Sequence, residues 1–146
     1  MTAVLLANAA ATLFMVGLTW FVQVVHYPLF GSVGEREFGE YHRLHSNRTA
    51  WVVLPPMAIE LVTSFLLLFD PPAGEMALVA AGAGLALATW ILTAFAAAAH
   101  GRIGTQGLSP SLLNRLLVAS WMRTVAWSLH GAVVILLLAA AIDLTP

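Results

Sequence analysis

The chain of 146 residues is 60% hydrophobic and only 9% charged, with a mean hydropathy of +0.89. Soluble domains average roughly 25% charged residues, so this composition excludes an ordinary soluble domain and favours an integral membrane protein. The formal net charge of −1 gives no reason to expect a nucleic acid partner, and the absence of cysteine excludes disulfides and thiolate chemistry.

Four hydrophobic runs are each long enough to cross a bilayer, which requires a helix of about 20 apolar residues. These runs predict an all-α fold, with one integral membrane domain over residues 1–146 built as a bundle of four transmembrane helices in lipid. The first run lacks the basic flank of a signal peptide and is predicted to be a retained helix. The predicted spans are residues 3–25, 51–69, 76–99 and 116–142.

The connection between the first and second runs has its own helical pattern. Pro28 ends the first helix, and a polar stretch from Glu35 to about Arg48 follows. Phe38, Tyr41 and His45 are spaced by three and four, so they share one helical face. The stretch predicts an amphipathic interfacial helix on the membrane surface, either separate from the second span or continuous with it.

The cationic residues predict the topology. All six lie in or near the first and third connections, whereas the second connection carries only Asp70 and Glu75. Because Lys and Arg accumulate in cytoplasmic loops, the first and third connections are predicted to face the cytoplasm and both termini the other side. The cationic residues are Arg36, Arg43, Arg48, Arg102, Arg115 and Arg123.

The third run is rich in small residues, and Ala80, Gly84 and Ala88 repeat at a spacing of four. Small residues permit close approach of helix backbones in lipid. The repeat predicts packing inside the bundle, with a contact between copies in a homo-oligomer as the alternative.

Two ionisable residues lie inside the hydrophobic runs. Glu60 lies about nine residues, or roughly 14 Å, into the second run, and Arg123 lies at a comparable depth in the fourth. An unpaired charge at this depth costs roughly 2.5–3.5 kcal/mol or more, so a Glu60–Arg123 pair is predicted. The pair either fixes the helix register or shapes a functional pocket.

Four histidines are predicted to lie at one membrane depth on the cytoplasmic side. Imidazoles that converge between helices could bind zinc, iron or copper, could ligate haem, or could act as general bases. A carboxylate, Glu60 or Glu37, could complete a metal shell. The alternative is four separate interfacial side chains, each with its own hydrogen bonds. The histidines are His26, His42, His45 and His100.

Other polar and aromatic residues of the runs are predicted to lie outside this cluster. His130 lies deep in the fourth run, where a lone histidine is typical of packing. Trp90 and Trp127 lie too deep for an interface belt and could line the pocket of a flat aromatic ligand.

Two short segments resemble the anthrone-oxygenase-like family of small four-helix membrane proteins, a domain of unknown function. They are Val24-Val25-His26-Tyr27-Pro28-Leu29-Phe30 and Trp121-Met122-Arg123-Thr124-Val125-Ala126-Trp127. Pro28 and Arg123-Thr124 match the family's pattern, whereas Ser120 replaces an expected asparagine and Ala99-His100-Gly101-Arg102 replaces a Pro-Leu-Asn segment. The resemblance covers the four-span layout and implies oxidation of an aromatic, lipid-soluble substrate.

Two functions are consistent with these features. The first is a membrane oxidoreductase or oxygenase, in which the four histidines hold a metal or act as bases while Glu60 and Arg123 shape the pocket. The second is a non-enzymatic accessory subunit, scaffold or lipid-binding module, in which the same residues only hold the bundle together.

Overall fold

The computed structural model describes residues 2–143 and consists of four long helices joined by short connections. No strand occurs within the described range, and the all-α four-helix prediction is confirmed. The helices are α1 (Thr2–Phe21), α2 (Glu35–Leu67), α3 (Met76–Gln106) and α4 (Pro110–Asp143).

All four helical segments are long and apolar enough to cross a membrane. Helices α2, α3 and α4 contain 33, 31 and 34 residues. At 1.5 Å per residue they reach roughly 45–50 Å, which exceeds a hydrocarbon core of about 30 Å. They therefore extend beyond the predicted spans, on the side of the histidines. This length fits a multi-pass membrane protein, while the side on which the termini lie stays a prediction.

Three buried layers follow the bundle from one end to the other and establish an antiparallel arrangement. One end layer joins the start of α1 and α3 to the end of α2 and α4, through Leu5, Val79, Leu67 and Leu137. The middle layer contains Met15, Met57 and Trp127. The opposite end layer contains Tyr27, Phe30, Phe38, Ile103, Leu112 and Leu116.

The amphipathic stretch is the first half of α2 and is not a separate helix. The helix runs without interruption from Glu35 to Leu67, although Pro55 and Pro56 lie inside it and remove two backbone donors. Phe38 and His42 are buried on its inner face. The alternative in which the amphipathic stretch is continuous with the second span is therefore confirmed.

The end of the first span departs from regular α-helix. A π-helical turn, Val22–His26, follows α1, and a 3₁₀ helix, Pro28–Ser32, begins after Tyr27. The Tyr27 backbone N–H donates to the carbonyl oxygen of Val22 at 2.9 Å, which closes the wide turn. The wide turn changes the helical register, and Gln23, Tyr27 and Phe30 are buried around it.

The small residues of α3 pack differently from the prediction. Between residues 77 and 88, Gly82, Ala83 and Ala86 are buried, whereas Ala80 and Gly84 are exposed and Ala88 is half-buried. A Cβ built on Gly84 meets nothing within 4 Å, while one on Gly82 meets the His130 ring at 3.4 Å. The prediction that the repeat at residues 80, 84 and 88 packs inside the bundle is therefore wrong, because positions 80 and 84 lie on the outer face of α3 while Gly82 faces α4.

Candidate functional site

The four predicted histidines meet at one end of the bundle as two hydrogen-bonded pairs. His26 Nε2 lies 2.9 Å from His45 Nδ1, and His42 Nε2 lies 3.0 Å from His100 Nδ1. The centres of the His45 and His100 rings are 5.5 Å apart, so the two pairs are neighbours. The prediction placed these residues only at one depth, whereas the structure also brings them together in the plane of the membrane.

Aromatic side chains hold the rings in place. Phe30 is fully buried, and the centre of its ring lies 5.1 Å from that of His45 and 5.3 Å from that of His26. The Tyr27 hydroxyl lies 2.9 Å from His100 Nε2, and the Tyr41 ring stacks on His45 at 6.4 Å. The cluster is thus a packed arrangement in which each ring has a defined orientation.

A cavity of about 610 Å³ opens beside the cluster, between α2 and α3. Its polar lining includes Tyr27, three of the histidines and Arg123, and its apolar wall includes Val53 and Leu54. Cavities of 300–1,000 Å³ with apolar walls and a few polar groups are typical small-molecule sites. The histidines that line it are His42, His45 and His100.

Three buried polar atoms of cavity-lining residues have no hydrogen-bond partner: His45 Nε2, Ser46 Oγ and Arg123 Nε. The part of the chain that the structure describes has one other such atom, Gln23 Oε1. Buried polar groups are nearly always satisfied, so these three orphaned atoms make the residues that carry them candidates for contact with a ligand.

The metal-site prediction for His26, His42, His45 and His100 finds no support in this geometry. Within residues 2–143, no three or more His, Asp or Glu side chains are arranged to hold a metal ion. The physical reason is that the ring nitrogens face one another in pairs, whereas ligands of one metal direct their lone pairs at a common point. Glu37 is exposed on α2 and does not complete a shell.

Glu60 belongs to a different site, near the middle of the bundle. It is fully buried, and His130 Nδ1 lies 2.6 Å from its Oε1. Trp127 Nε1 donates to its two carboxylate oxygens at 2.9 and 3.1 Å, and the Thr12 hydroxyl donates at 3.3 Å. The Asn8 amide donates to the Glu60 carbonyl oxygen at 3.1 Å. We call this set of residues the Glu60 network.

The predicted Glu60–Arg123 pair is wrong, because His130 and Trp127 occupy the carboxylate. Arg123 instead lies over the Trp127 ring, with its guanidinium carbon 5.2 Å from the ring centre, and beside Tyr27. Glu60 also lies outside the histidine cavity, since it is 15 residues from His45 on one helix, or roughly 22 Å.

Sequence reasoning left out several residues of both sites. His130 was predicted to be a packing residue outside the site, although its i+3 spacing from Trp127 already put both on one face of α4. Trp127 and Trp90 do not line the cavity; their indoles donate to Glu60 and to the Met57 carbonyl oxygen. Nothing in the sequence singled out Ser46 as a site residue, because serine is common in polar stretches such as residues 35–48.

Comparison of the chain with protein-family models, with curated protein sequences and with solved structures finds no match in any of the three.

Proposed function

We propose that this protein is a membrane oxidoreductase that ionises and oxygenates an aromatic, lipid-soluble substrate in the histidine-lined cavity. The observation that carries the proposal is the presence of two orphaned nitrogens, His45 Nε2 and Arg123 Nε, on residues that line one cavity with apolar walls. One nitrogen can accept a proton and the other can stabilise the resulting anion.

His45 is the residue suited to act as the base. Its Nδ1 lies within hydrogen-bond distance of His26 Nε2 and the Thr49 hydroxyl, at 2.9 and 3.2 Å. In the tautomer in which Nδ1–H donates to His26, the unpartnered Nε2 carries a lone pair. Burial and the neighbouring His26 and His42 lower the pKa of His45 to about 4, so the ring is neutral near pH 7 and its lone pair is free to accept a proton. His26 would then be a positioning residue.

Arg123 and Tyr27 are suited to hold the substrate's oxygen. Arg123 supplies a permanent charge, and the Tyr27 hydroxyl is oriented by His100, whose other ring nitrogen contacts His42. Preorganised donors in a site from which water is excluded stabilise a developing oxyanion more strongly than water does. The hydrogen-bonded series His42–His100–Tyr27 therefore serves to orient one donor, the Tyr27 hydroxyl.

The overall reaction is the oxidation of an activated methylene group to a ketone by molecular oxygen. His45 removes one proton from the carbon, the carbanion bonds to oxygen, and the O–O bond breaks as the second C–H proton leaves. One oxygen atom stays in the ketone, and the other leaves as water with the two protons. The resemblance of residues 24–30 and 121–127 to the anthrone-oxygenase-like family supports this substrate class.

Oxygen uptake by the purified protein in lipid nanodiscs tests the proposal. With a hydroxylated anthrone, we expect one oxygen molecule consumed per quinone formed, at a rate well above the spontaneous oxidation. A rate equal to that of empty nanodiscs would reject the function. Activity is also expected to survive chelators; loss that iron, copper or zinc restores would reject the base mechanism in favour of a metal.

A second function, a non-enzymatic accessory subunit or scaffold, is favoured by one observation. The Glu60 network is buried, satisfied and remote from the cavity, as expected of groups that only hold helices together. Under this alternative the cavity is incidental, and substitutions at His45 would change neither turnover nor ligand binding.

A further inference from the structure

Arg123 is a buried cation without a carboxylate partner. Its side chain is only 8% exposed, and its Nε has no hydrogen-bond partner. The two ion pairs within the described residues are Arg43–Glu40 and His130–Glu60. The Trp127 ring offers a cation–π contact, which does not neutralise the charge.

No acidic side chain that the structure describes is placed to supply this partner. Glu60 is occupied by His130 and Trp127. The other acidic side chains for which the structure gives burial are exposed in the first half of α2 or lie in the connection at the far end of the bundle, as Asp70 and Glu75 do. Leaving a charge unpaired inside a membrane protein is costly, so such residues mark ligand or ion sites.

The cavity next to Arg123 has the form of a site for the missing anion. One further orphaned atom, Ser46 Oγ, belongs to a residue of its lining, and this hydroxyl can donate to an anionic oxygen. The cavity also has an apolar wall that includes Val53 and Leu54, and Leu54 is 47% exposed. A ligand can thus place a charged head at Arg123 while its body contacts the wall and the bilayer.

We infer that the cavity binds an amphiphilic anion, in which one acidic head group is the counter-ion of Arg123 and the remainder is apolar. A carboxylate, a phenolate or a phosphate supplies the same oxygen chemistry. A volume of about 610 Å³ accommodates a small-molecule body of the size usual for such pockets. The inference rests on the proposed function only in placing the ligand in the same cavity, and it requires no oxidation.

Equilibrium binding under nitrogen, in nanodiscs of neutral lipid, tests the anion site separately from turnover. The probes are a dansyl-labelled undecanoate and its methyl ester, which differ only in the charge of the head group. We expect the acid to bind at least about tenfold more tightly than the ester, as a charge-assisted hydrogen bond provides. Equal affinities of acid and ester would overturn the inference.

Variants identify the residue that provides the preference. Arg123→Gln is expected to lose the preference for the acid, Arg123→Lys to keep part of it, and the exposed Arg48→Gln to keep all of it. If Arg123→Gln does not fold, the affinities of the acid and the ester for the wild-type protein and for Arg123→Lys provide the test. Retention of the full preference in a folded Arg123→Gln protein would contradict the assignment.

Two further probes distinguish the source of the anion. An alkyl phenol with its methyl ether, and a lysophosphatidate with its neutral glyceride, replace the carboxylate pair. A preference for the phenolate or carboxylate indicates a small-molecule ligand, and a preference for the phosphate alone indicates a lipid head group; either supports the inference. A protein that prefers anions but takes up no oxygen would retain the anion site and lose the oxygenase function.

Discussion

The two polar regions of this bundle differ in how completely their hydrogen bonds are satisfied. In the Glu60 network, a buried carboxylate receives donors from α1 and α4. In the histidine cavity, three buried polar atoms have no partner. A satisfied network mainly stabilises the bundle, whereas an unsatisfied one leaves polar groups available to a ligand. Substitutions in each region should therefore affect different measurements.

The largest expected effect is on stability, from Glu60→Gln. The new amide would point an N–H group at donors from Trp127 or His130, and breaking a buried pair costs about 3–5 kcal/mol of the free energy of unfolding. Unfolding in mixed micelles measures it.

A double-mutant cycle sharpens this test. Glu60→Gln with His130→Gln should show a coupling energy of about 1 kcal/mol or more, since the two side chains are in contact. The matched cycle with Arg123→Gln should show less coupling, because Arg123 touches the carboxylate only through Trp127. Equal coupling in the two cycles would contradict the arrangement found here.

The next effect is on turnover, from His45→Gln in the cavity. Loss of a general base typically lowers the rate by a factor of about 10² or more. Stability should fall less than in Glu60→Gln, because the glutamine amide can keep a hydrogen bond to His26 or Thr49 and Nε2 has no partner to lose. The oxygen-uptake rate and the unfolding curve are measured on the same sample. His26→Gln, which alters only the orienting contact, should lower the rate less, and an equal loss would assign the base differently.

A smaller effect on stability is expected from Gly82→Val in α3. The added methyl groups would press on the His130 ring, which a Cβ alone approaches to 3.4 Å, and overpacking costs about 1–3 kcal/mol. Gly84→Val is the matched control, because a Cβ there meets nothing within 4 Å. Thermal unfolding that ranks Gly84→Val as the more damaging change would contradict the packing of α3 on α4.

The smallest effect is expected at the surface pair of Glu40 and Arg43, whose side chains are 65% and 60% exposed. Exposed pairs contribute about 0–1 kcal/mol because water and salt screen them, so Glu40→Gln should leave the unfolding curve almost unchanged. A loss comparable with that of Glu60→Gln would remove the contrast between buried and exposed charge pairs.

The sequence predicted the location of the histidines correctly and the partner of Glu60 incorrectly. Histidine spacing and arginine placement put His26, His42, His45 and His100 at one depth, and they do lie together. The partner of Glu60 was predicted incorrectly, because Arg123 and His130 share one face of α4 and lie seven residues, or roughly 10 Å, apart along it. The axial position of α4 relative to α2 decides between them, and the sequence of one helix does not reveal that position.

By itself, the sequence determined four apolar helices, their antiparallel connection by short loops and the end at which the polar residues gather. These follow from hydrophobic length, proline and charge, which act locally or through the bilayer. Only the tertiary structure decided that the histidines form pairs, that His130 holds Glu60 and that Arg123 is left beside a cavity. Those outcomes depend on side-chain contacts between helices, which depend on the rotation and packing of all four helices at once.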